Sequence, residues 1–237
     1  MTSRFAAVQY RPPKGDPGAA REDLVRLVDE AGRRGAGFVV CPEMATSGYV
    51  WSEPAEIRPH CEPARGPTLE ALAPVAAAHG AWVVVGFPEI SDGALYNSAL
   101  IIDDKGALAG CYRKVLLYQE DMTWARPGQV RQRYDTPHGA VSPGICMDIN
   151  DYAFGIYLRT TRPDIVAFCT NWVDSGEDVL PYWRERLEGW RGWFVAANTW
   201  GRDRHVPFRG RSAILDPSGA LVASAPAEGD VVLVAGG

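Results

Sequence analysis

Short apolar runs alternate with amphipathic stretches along the chain. Runs of strand length cover residues 5–9, 38–41, 82–87, 96–102, 108–113, 140–145, 165–169, 194–198, 213–215, 220–223 and 231–234. Apolar residues recur at helical spacing after Asp16-Pro17, an N-cap followed by a first-turn proline, and again over 68–79, 152–161 and 179–192. Apolar strands that alternate with helices predict a layered α/β or α+β domain.

Three details of this pattern give further expectations. Pro74 lies in the middle of the helix predicted over 68–79, so we expect a kink or an early break there. Residues 115–128 show no periodicity and end in Pro-Gly, which predicts a long loop. Trp183, Trp190 and Trp193 fall on one side of the helix predicted over 179–192, a face that could pair two copies of the chain or pack inside one.

Composition narrows the class of protein. The 237 residues fit one domain over 1–237, and the formal net charge of −5 argues against a nucleic-acid or anionic-membrane surface. No apolar stretch reaches the ~20 residues that cross a bilayer. Met1–Arg4 lead directly into the first predicted strand, which leaves no room for a signal peptide, so we expect a cytoplasmic protein.

Cysteine and histidine spacing gives no sign of a metal site. The five cysteines form no C-x-x-C pair, which is typical of reduced thiols, and the four histidines are scattered. We therefore expect neither a structural nor a catalytic metal.

Candidate chemistry starts at Cys146. The apolar run over 140–145 ends at this cysteine, and a polar cluster follows that can cap a helix starting near Tyr152. A thiol between a strand and a helix can attack a carbonyl carbon, with free backbone N–H groups nearby for the oxyanion. The alternative from position alone is a buried cysteine that acts as a small apolar residue.

Two other strand ends carry a chargeable side chain. Glu43 follows the run over 38–41 and can act as a base if it is desolvated. Lys114 follows the run over 108–113, in a chain where only three of the 24 basic residues are lysines. A buried lysine can hold an oxyanion together with the backbone N–H of Met147. The alternatives are an ordinary surface glutamate and a solvated lysine.

Three motifs contain these residues in chain order: Cys41-Pro42-Glu43-Met44, Tyr112-Arg113-Lys114-Val115-Leu116-Leu117 and Gly144-Ile145-Cys146-Met147-Asp148. Together they resemble the nitrilase, or carbon–nitrogen hydrolase, superfamily over essentially the whole chain. The stretch GICMDIN is similar to the branch of protein N-terminal Asn and Gln amidases. Many members continue after the nucleophile toward Arg-Phe-Pro-Glu, whereas this chain has Asn150, Asp151 and Tyr152.

The resemblance implies a four-layer α-β-β-α sandwich, no cofactor, and frequent pairing of two copies through helices near the nucleophile. It assigns Glu43 as base, Lys114 as oxyanion partner and Cys146 as nucleophile, and it implies a second glutamate, Glu120, that positions the substrate or assists the base. Tyr49, Trp124, Asn171 and Trp172 lie in predicted strand-end loops and could line the pocket.

The expected reaction is hydrolysis of a small linear amide through a thioester. Nitrile hydrolysis, N-carbamoyl cleavage, N-terminal Asn or Gln deamidation and acyl transfer use the same triad and stay open. Two alternative hypotheses come from other classes of protein. One is a Cys–His hydrolase on a different fold, and the other is a non-catalytic binding module. All three triad residues are present in this sequence, which argues against the second.

Overall fold

Two six-stranded sheets form the centre of the computed structural model, which describes residues 3–236. Met1 and Thr2, part of the segment that led us to expect no signal peptide, lie outside the described residues, as does Gly237. The first sheet contains β1 (Arg4–Gln9), β2 (Phe38–Val40), β3 (Trp82–Ser91), β4 (Ala94–Ile102), β5 (Leu108–Arg113) and the final strand β14 (Val231–Gly236). Its strand order is β14-β1-β2-β3-β4-β5.

The second sheet contains β6 (Tyr134–Thr136), β7 (Gly139–Ile145), β8 (Ile165–Thr170), β9 (Trp193–Asn198), β12 (Ala213–Leu215) and β13 (Leu221–Ser224). Its order is β13-β12-β9-β8-β7-β6. A separate two-stranded hairpin joins β10 (Trp200–Asp203) to β11 (Val206–Arg209). It lies between β9 and β12 in the chain.

Helices cover the outer faces of both sheets. Helices α1 (Pro17–Arg33) and α3 (Pro67–His79) pack on the first sheet, whereas α5 (Tyr152–Thr161) and α6 (Val179–Arg186) pack on the second. The short helices α2 (Pro54–Ile57) and α4 (Gln119–Met122) lie in connecting segments. The four-layer α-β-β-α sandwich is therefore confirmed. No helix within residues 3–236 is long and apolar enough to cross a bilayer.

The inner faces of the two sheets share one apolar core. Apolar side chains of both sheets meet there, among them Phe5, Phe38, Ile101, Ile145, Ile165 and Val195. These strands are nearly continuous runs of buried residues because both faces are covered.

Strand directions bring several strand ends to one edge. Strands β1, β2 and β3 are parallel, and two antiparallel steps through β4 give β5 the same direction. In the second sheet β7, β8 and β9 are also parallel. Loops at the carboxyl ends of parallel strands are where layered α/β proteins place their sites. The structure shows what lies there.

Two local predictions differ from the structure. Helix α3 continues through Pro74 to His79, so the expected early break is wrong. Its residues Leu72, Val75 and Ala76 are buried in the core that α3 shares with α1 and the first sheet, and this packing offsets the loss of the backbone hydrogen bond that a proline removes. The predicted loop over 115–128 contains α4, because the Asp121 carboxylate accepts the backbone N–H of Tyr118 at 3.0 Å and caps that turn.

The prediction that three tryptophans share one face of a helix over 179–192 is also wrong. Helix α6 ends at Arg186, and a turn with Gly189 at φ +81° follows. Trp183 is fully buried, Trp190 donates its indole N–H to the Pro163 carbonyl at 2.9 Å, and Trp193 begins β9. The three indoles therefore pack inside the chain and do not form one exposed helix face.

Gly86 allows β3 to pass close to the segment that carries Glu43. Its N–H donates to the Pro42 carbonyl at 3.0 Å, and its own carbonyl accepts from Ala45 at 2.8 Å. A Cβ atom at this position would lie 2.5 Å from both the Glu43 Cα and the Pro42 oxygen. Both are backbone atoms, so the strand or the segment would have to move.

We predict that Gly86→Ala lowers the free energy of unfolding by about 1–3 kcal/mol through overpacking and displaces Glu43. The matched control is Gly18→Ala in α1, where the nearest atom is a side-chain oxygen of Asp16 at 3.4 Å. Thermal unfolding of both variants checks the prediction. An unchanged melting temperature in Gly86→Ala would contradict the close packing described here.

Candidate active site

Cys146 lies at a strained turn between a strand and a helix. Strand β7 ends at Ile145, one turn of 3-10 helix covers Cys146–Asn150, and α5 follows directly. Cys146 has φ +42°, a left-handed conformation that is uncommon for a residue with a side chain. Strain of this kind persists where the surrounding structure holds it, and it is concentrated at functional sites.

The carboxylate of Asp148 holds this turn in place. One oxygen accepts the backbone N–H of Ile145 at 3.0 Å and the hydroxyl of Tyr112 at 2.8 Å. The other accepts the backbone N–H groups of Val115 and Leu116 at 3.0 and 2.9 Å. One fully buried side chain therefore ties the end of β7 to the segment directly after β5.

A buried ammonium lies between two carboxylates next to this turn. The Nζ atom of Lys114 is 2.7 Å from Glu43 Oε1 and 2.5 Å from Asp121 Oδ2, and all three side chains are fully buried. Asn97 donates its side-chain amide to Glu43 at 2.7 Å and to Asp121 at 2.9 Å. The second oxygen of Glu43 accepts the backbone N–H of Asn171 at 2.9 Å.

The pKa shifts follow from this arrangement. Burial raises the pKa of Glu43 above its usual range, although Lys114 opposes the shift, so this carboxylate is suited to accept a proton. Burial alone would lower the pKa of Lys114, but Asp121 and Glu43 raise it above the ordinary lysine value. The lysine is therefore an ammonium at neutral pH.

The thiol of Cys146 is protonated at rest. Burial raises its pKa to about 12, Glu43 adds to the shift, and Lys114 opposes it. Because so little thiolate exists at neutral pH, a reaction at sulfur needs a base that removes the proton during attack.

The structure does not place Glu120 where it could assist the base, Glu43, through a direct contact. The acidic side chain that contacts Lys114 is its neighbour Asp121, whereas Glu120 makes no hydrogen bond to Glu43 or Lys114. Residues 120 and 121 are both acidic, and successive residues of a helical turn point in different directions, so the sequence alone could not select between them.

Asn97 is a further residue that sequence reasoning missed. The only available signal was a pair of polar residues, Asn97-Ser98, within the otherwise apolar strand β4. Its backbone carbonyl accepts the N–H of Lys114 at 2.9 Å, so strand pairing places it directly beside the lysine.

Two of the residues expected to line a pocket, Tyr49 and Asn171, contact this cluster directly. The Tyr49 hydroxyl is 3.5 Å from Asp121 Oδ2, and Trp124 belongs to the same apolar cluster as Tyr49. Trp172 packs against the core that contains Cys146. Met147 is the second residue of the 3-10 turn, where backbone N–H groups lack acceptors within the helix.

Tyr49 and Asn171 also border a cavity of about 590 Å³. Its other walls carry four cationic side chains, Arg11, Lys14, Arg202 and Arg204, and the carboxylates of Asp23 and Asp203. Neither polar atom of the buried Asn171 side chain has a hydrogen-bond partner, so this amide is available to a ligand. Within residues 3–236, no three His, Cys, Asp or Glu side chains are grouped so as to hold a metal ion.

A comparison with protein-family models shows to which family the chain belongs. The model described as "Carbon-nitrogen hydrolase" matches residues 4–236. The chain belongs to the carbon–nitrogen hydrolase family. It is an enzyme of the class that acts on carbon–nitrogen bonds other than peptide bonds.

Relatives of this carbon–nitrogen hydrolase include two curated amidases. A protein N-terminal amidase of Schizosaccharomyces pombe is 26% identical and the match covers 91% of each chain. An N-carbamoylputrescine amidase of Solanum tuberosum is 29% identical, with 89% of this chain and 78% of the relative covered. A solved mutant of a Nesterenkonia amidase from the nitrilase superfamily has the same fold, with a TM-score of 0.86 at 21% identity over 99% of this chain and 90% of the other.

We predict that Asp121→Asn lowers kcat by about tenfold to a hundredfold and moves the alkaline limb of the pH–rate profile to lower pH. Asp121 is the strongest of the groups that raise the pKa of Lys114, so without its charge the ammonium deprotonates at lower pH. The control is Asp92→Asn, the same change at an exposed turn. An alkaline limb that stays in place would mean that Asp121 does not hold the charge of Lys114.

Proposed function

We propose that the enzyme hydrolyses linear carboxamides to a carboxylate and ammonia, or an amine, through a thioester on Cys146. The observation that carries this proposal is the buried ion pair of Glu43 and Lys114, 2.7 Å apart, beside a nucleophile held at a strained turn. Amide hydrolysis needs a base, an oxyanion partner and an acid for the leaving nitrogen, and this cluster supplies all three functions.

In the proposed acylation, the Cys146 sulfur attacks the amide carbon while its proton passes to Glu43. The carbonyl oxygen becomes an oxyanion. An ammonium has three N–H donors, and Glu43 and Asp121 accept two of those on Lys114. The third is available to the oxyanion, with the backbone N–H of Met147 as a second donor.

In the second half of the reaction, the tetrahedral intermediate collapses and the carbon–nitrogen bond breaks. Protonated Glu43 gives its proton to the leaving nitrogen, which departs as ammonia or an amine. Water then attacks the thioester while Glu43 takes one of its protons. The carbon–sulfur bond breaks and Glu43 returns its proton to the sulfur. The carboxylic acid leaves and loses its own proton to the solvent.

Related reactions on the same triad define the assay panel. Nitriles, N-carbamoyl amines, peptides that begin with Asn or Gln, and acyl transfer to an added amine all share the thioester chemistry. One of the two curated relatives is named as a protein N-terminal amidase and the other as an N-carbamoylputrescine amidase. Glu43, whose pKa is raised, is suited to protonate the leaving nitrogen that each amide-type substrate of this panel releases.

We predict that Cys146→Ala abolishes ammonia release, since the bond to sulfur cannot form. Cys61→Ser is the control. Cys61 is half-buried and packs against an apolar cluster, and its thiol donates to the Ile57 carbonyl of its own segment at 3.5 Å. Intact-protein mass spectrometry of the rapidly quenched wild type is expected to show an acyl adduct that Cys146→Ala lacks. Full turnover in Cys146→Ala would refute the proposed chemistry.

We also propose that the enzyme is a homodimer paired through α5. Two apolar side chains on this helix, Tyr152 and Ile156, are 78% and 46% exposed and four residues apart, so they share one face. The helix directly follows the nucleophile turn. Pairing would cover this face and support the turn from outside.

For the assembly we predict that light scattering of the wild type gives the dimer mass and that Ile156→Lys gives the monomer mass at micromolar concentration. A buried lysine at the interface would carry an unpaired charge. Val222→Lys on β13, a residue of similar exposure at 44%, is the control and is expected to remain dimeric. A wild-type monomer at high micromolar concentration would exclude this assembly.

A further inference from the structure

A cation from another part of the chain lies beside the nucleophile turn. Residues 147–158 contain no lysine or arginine, and the arginine that many family members carry after the nucleophile is missing there. Arg131 comes from the segment between α4 and β6, and its Nη1 atom lies 3.0 Å from Asp148 Oδ1. Its side chain is 11% exposed, whereas Val130 directly before it is 64% exposed. Within the described residues, Arg131 is the cation that pairs with Asp148.

The guanidinium of Arg131 contacts two further elements at the same time. It donates to the Tyr112 hydroxyl on β5 at 2.7 Å and to the Asp151 carboxylate at the start of α5 at 2.6 Å. Its central carbon lies 4.8 Å from the centre of the Phe154 ring in α5. An arginine can make these contacts together because its planar group has five donors in fixed directions, whereas a lysine ammonium is a point charge.

These contacts meet at the carboxylate that holds the turn. The Asp148 oxygen that accepts the backbone N–H of Ile145, directly before Cys146, also accepts the Tyr112 hydroxyl. Cys146 has φ +42°, a strained conformation that persists where the surrounding structure fixes it. Asp148 is fully buried, and a buried carboxylate without a counter-charge is costly. Arg131 supplies that counter-charge and links it to the start of α5.

We infer that Arg131 is a positioning residue, which holds Asp148 and Asp151 in place and thereby directs the Cys146 thiol toward Glu43 and Lys114. The inference rests on the proposed thioester chemistry and adds a residue that touches neither the substrate nor the reacting atoms. Because a displacement of about 1 Å at a reacting atom can cost about a hundredfold in rate, the loss of Arg131 is expected to affect kcat.

A purely structural role for Arg131 is the alternative. An arginine in two ion pairs also stabilises the fold, so its loss is expected to lower the melting temperature in either case. The two roles are separated by kcat and KM of each folded variant, measured well below its own melting temperature. A structural role leaves both constants of the folded protein unchanged, whereas a positioning role lowers kcat with little change in KM.

The first experiment removes the charge and then restores it. Arg131→Met keeps an unbranched side chain over Phe154, and we expect its kcat to fall by about tenfold to a hundredfold. Arg131→Lys is expected to have an intermediate kcat, since an ammonium restores the charge but cannot bridge both carboxylates. Arg133→Met is the matched control in the same segment. Arg133 pairs with Asp135 at the surface, with side chains 45% and 83% exposed, so wild-type kcat is expected.

Asp151→Asn is a second test that leaves the start of α5 intact. The Asp151 side chain caps this helix by accepting the backbone N–H of Ala153 at 3.0 Å, and asparagine caps a helix as well as aspartate does. The charge that holds Arg131 is lost, so we expect kcat to fall by about threefold to tenfold. Combined with Arg131→Met, it is expected to cause no further loss, because Asp151 acts through Arg131. This variant and Arg131→Lys keep the test decisive if Arg131→Met does not fold.

Alkylation of Cys146 by iodoacetamide gives a readout that needs no turnover. The sulfur displaces iodide from this small carboxamide while its proton passes to Glu43, so the rate depends on how the thiol is aligned with the base. Peptide mapping separates the adduct on Cys146 from those on the other cysteines. We expect the rate at Cys146 to fall by about tenfold in Arg131→Met and to stay at the wild-type value in Arg133→Met.

Two outcomes would overturn the inference. Equal kcat values for folded Arg131→Met and Arg133→Met, whatever their melting temperatures, would assign Arg131 a structural role. A lower kcat with unchanged alkylation of Cys146 would place the effect in the substrate pocket and not at the nucleophile. If the wild type hydrolyses no amide, the proposed function fails, but the alkylation rates still test Arg131, so the two failures are distinguishable.

Discussion

The site depends on one interaction, the contact of the buried Lys114 ammonium with the carboxylates of Glu43 and Asp121. A buried lysine without such partners would lose its proton, and a buried glutamate without the lysine would be neutral. Removal of either partner therefore changes the protonation state of the group that remains. Asn97 holds both carboxylates through one side-chain amide, so the spacing of the two acids around the lysine is fixed from both sides.

A separate set of interactions holds the nucleophile. Cys146 adopts a left-handed backbone conformation, and Asp148 binds both its strand and the segment after Lys114. The thiol is neutral at rest because burial raises its pKa to about 12, which protects it from oxidation. In the proposed reaction a nucleophile forms only when a substrate excludes water and Glu43 accepts the proton, so chemistry is coupled to binding.

Sequence reasoning located the strand ends but not all of the side chains between them. The apolar runs and the residues after them predicted where Glu43, Lys114 and Cys146 lie in the fold, since period-two and apolar-run patterns report burial directly. The choice of Asp121 over Glu120 depends on the direction of side chains in a single helical turn. The position of Asn97 depends on strand register, which a local pattern does not encode. The end of α6 at Arg186 depends on a glycine turn within a run that still has helical spacing.

The most direct test of the central ion cluster is the kcat of Lys114→Arg on the best amide, measured beside Lys105→Arg, the same change in an exposed turn. A guanidinium keeps the charge, but it is planar, and its fork geometry suits a carboxylate better than a tetrahedral oxyanion. The account predicts a folded protein whose kcat falls by about 10²–10³, while Lys105→Arg stays near the wild type. A folded Lys114→Arg with near-normal kcat would contradict the role of the ammonium.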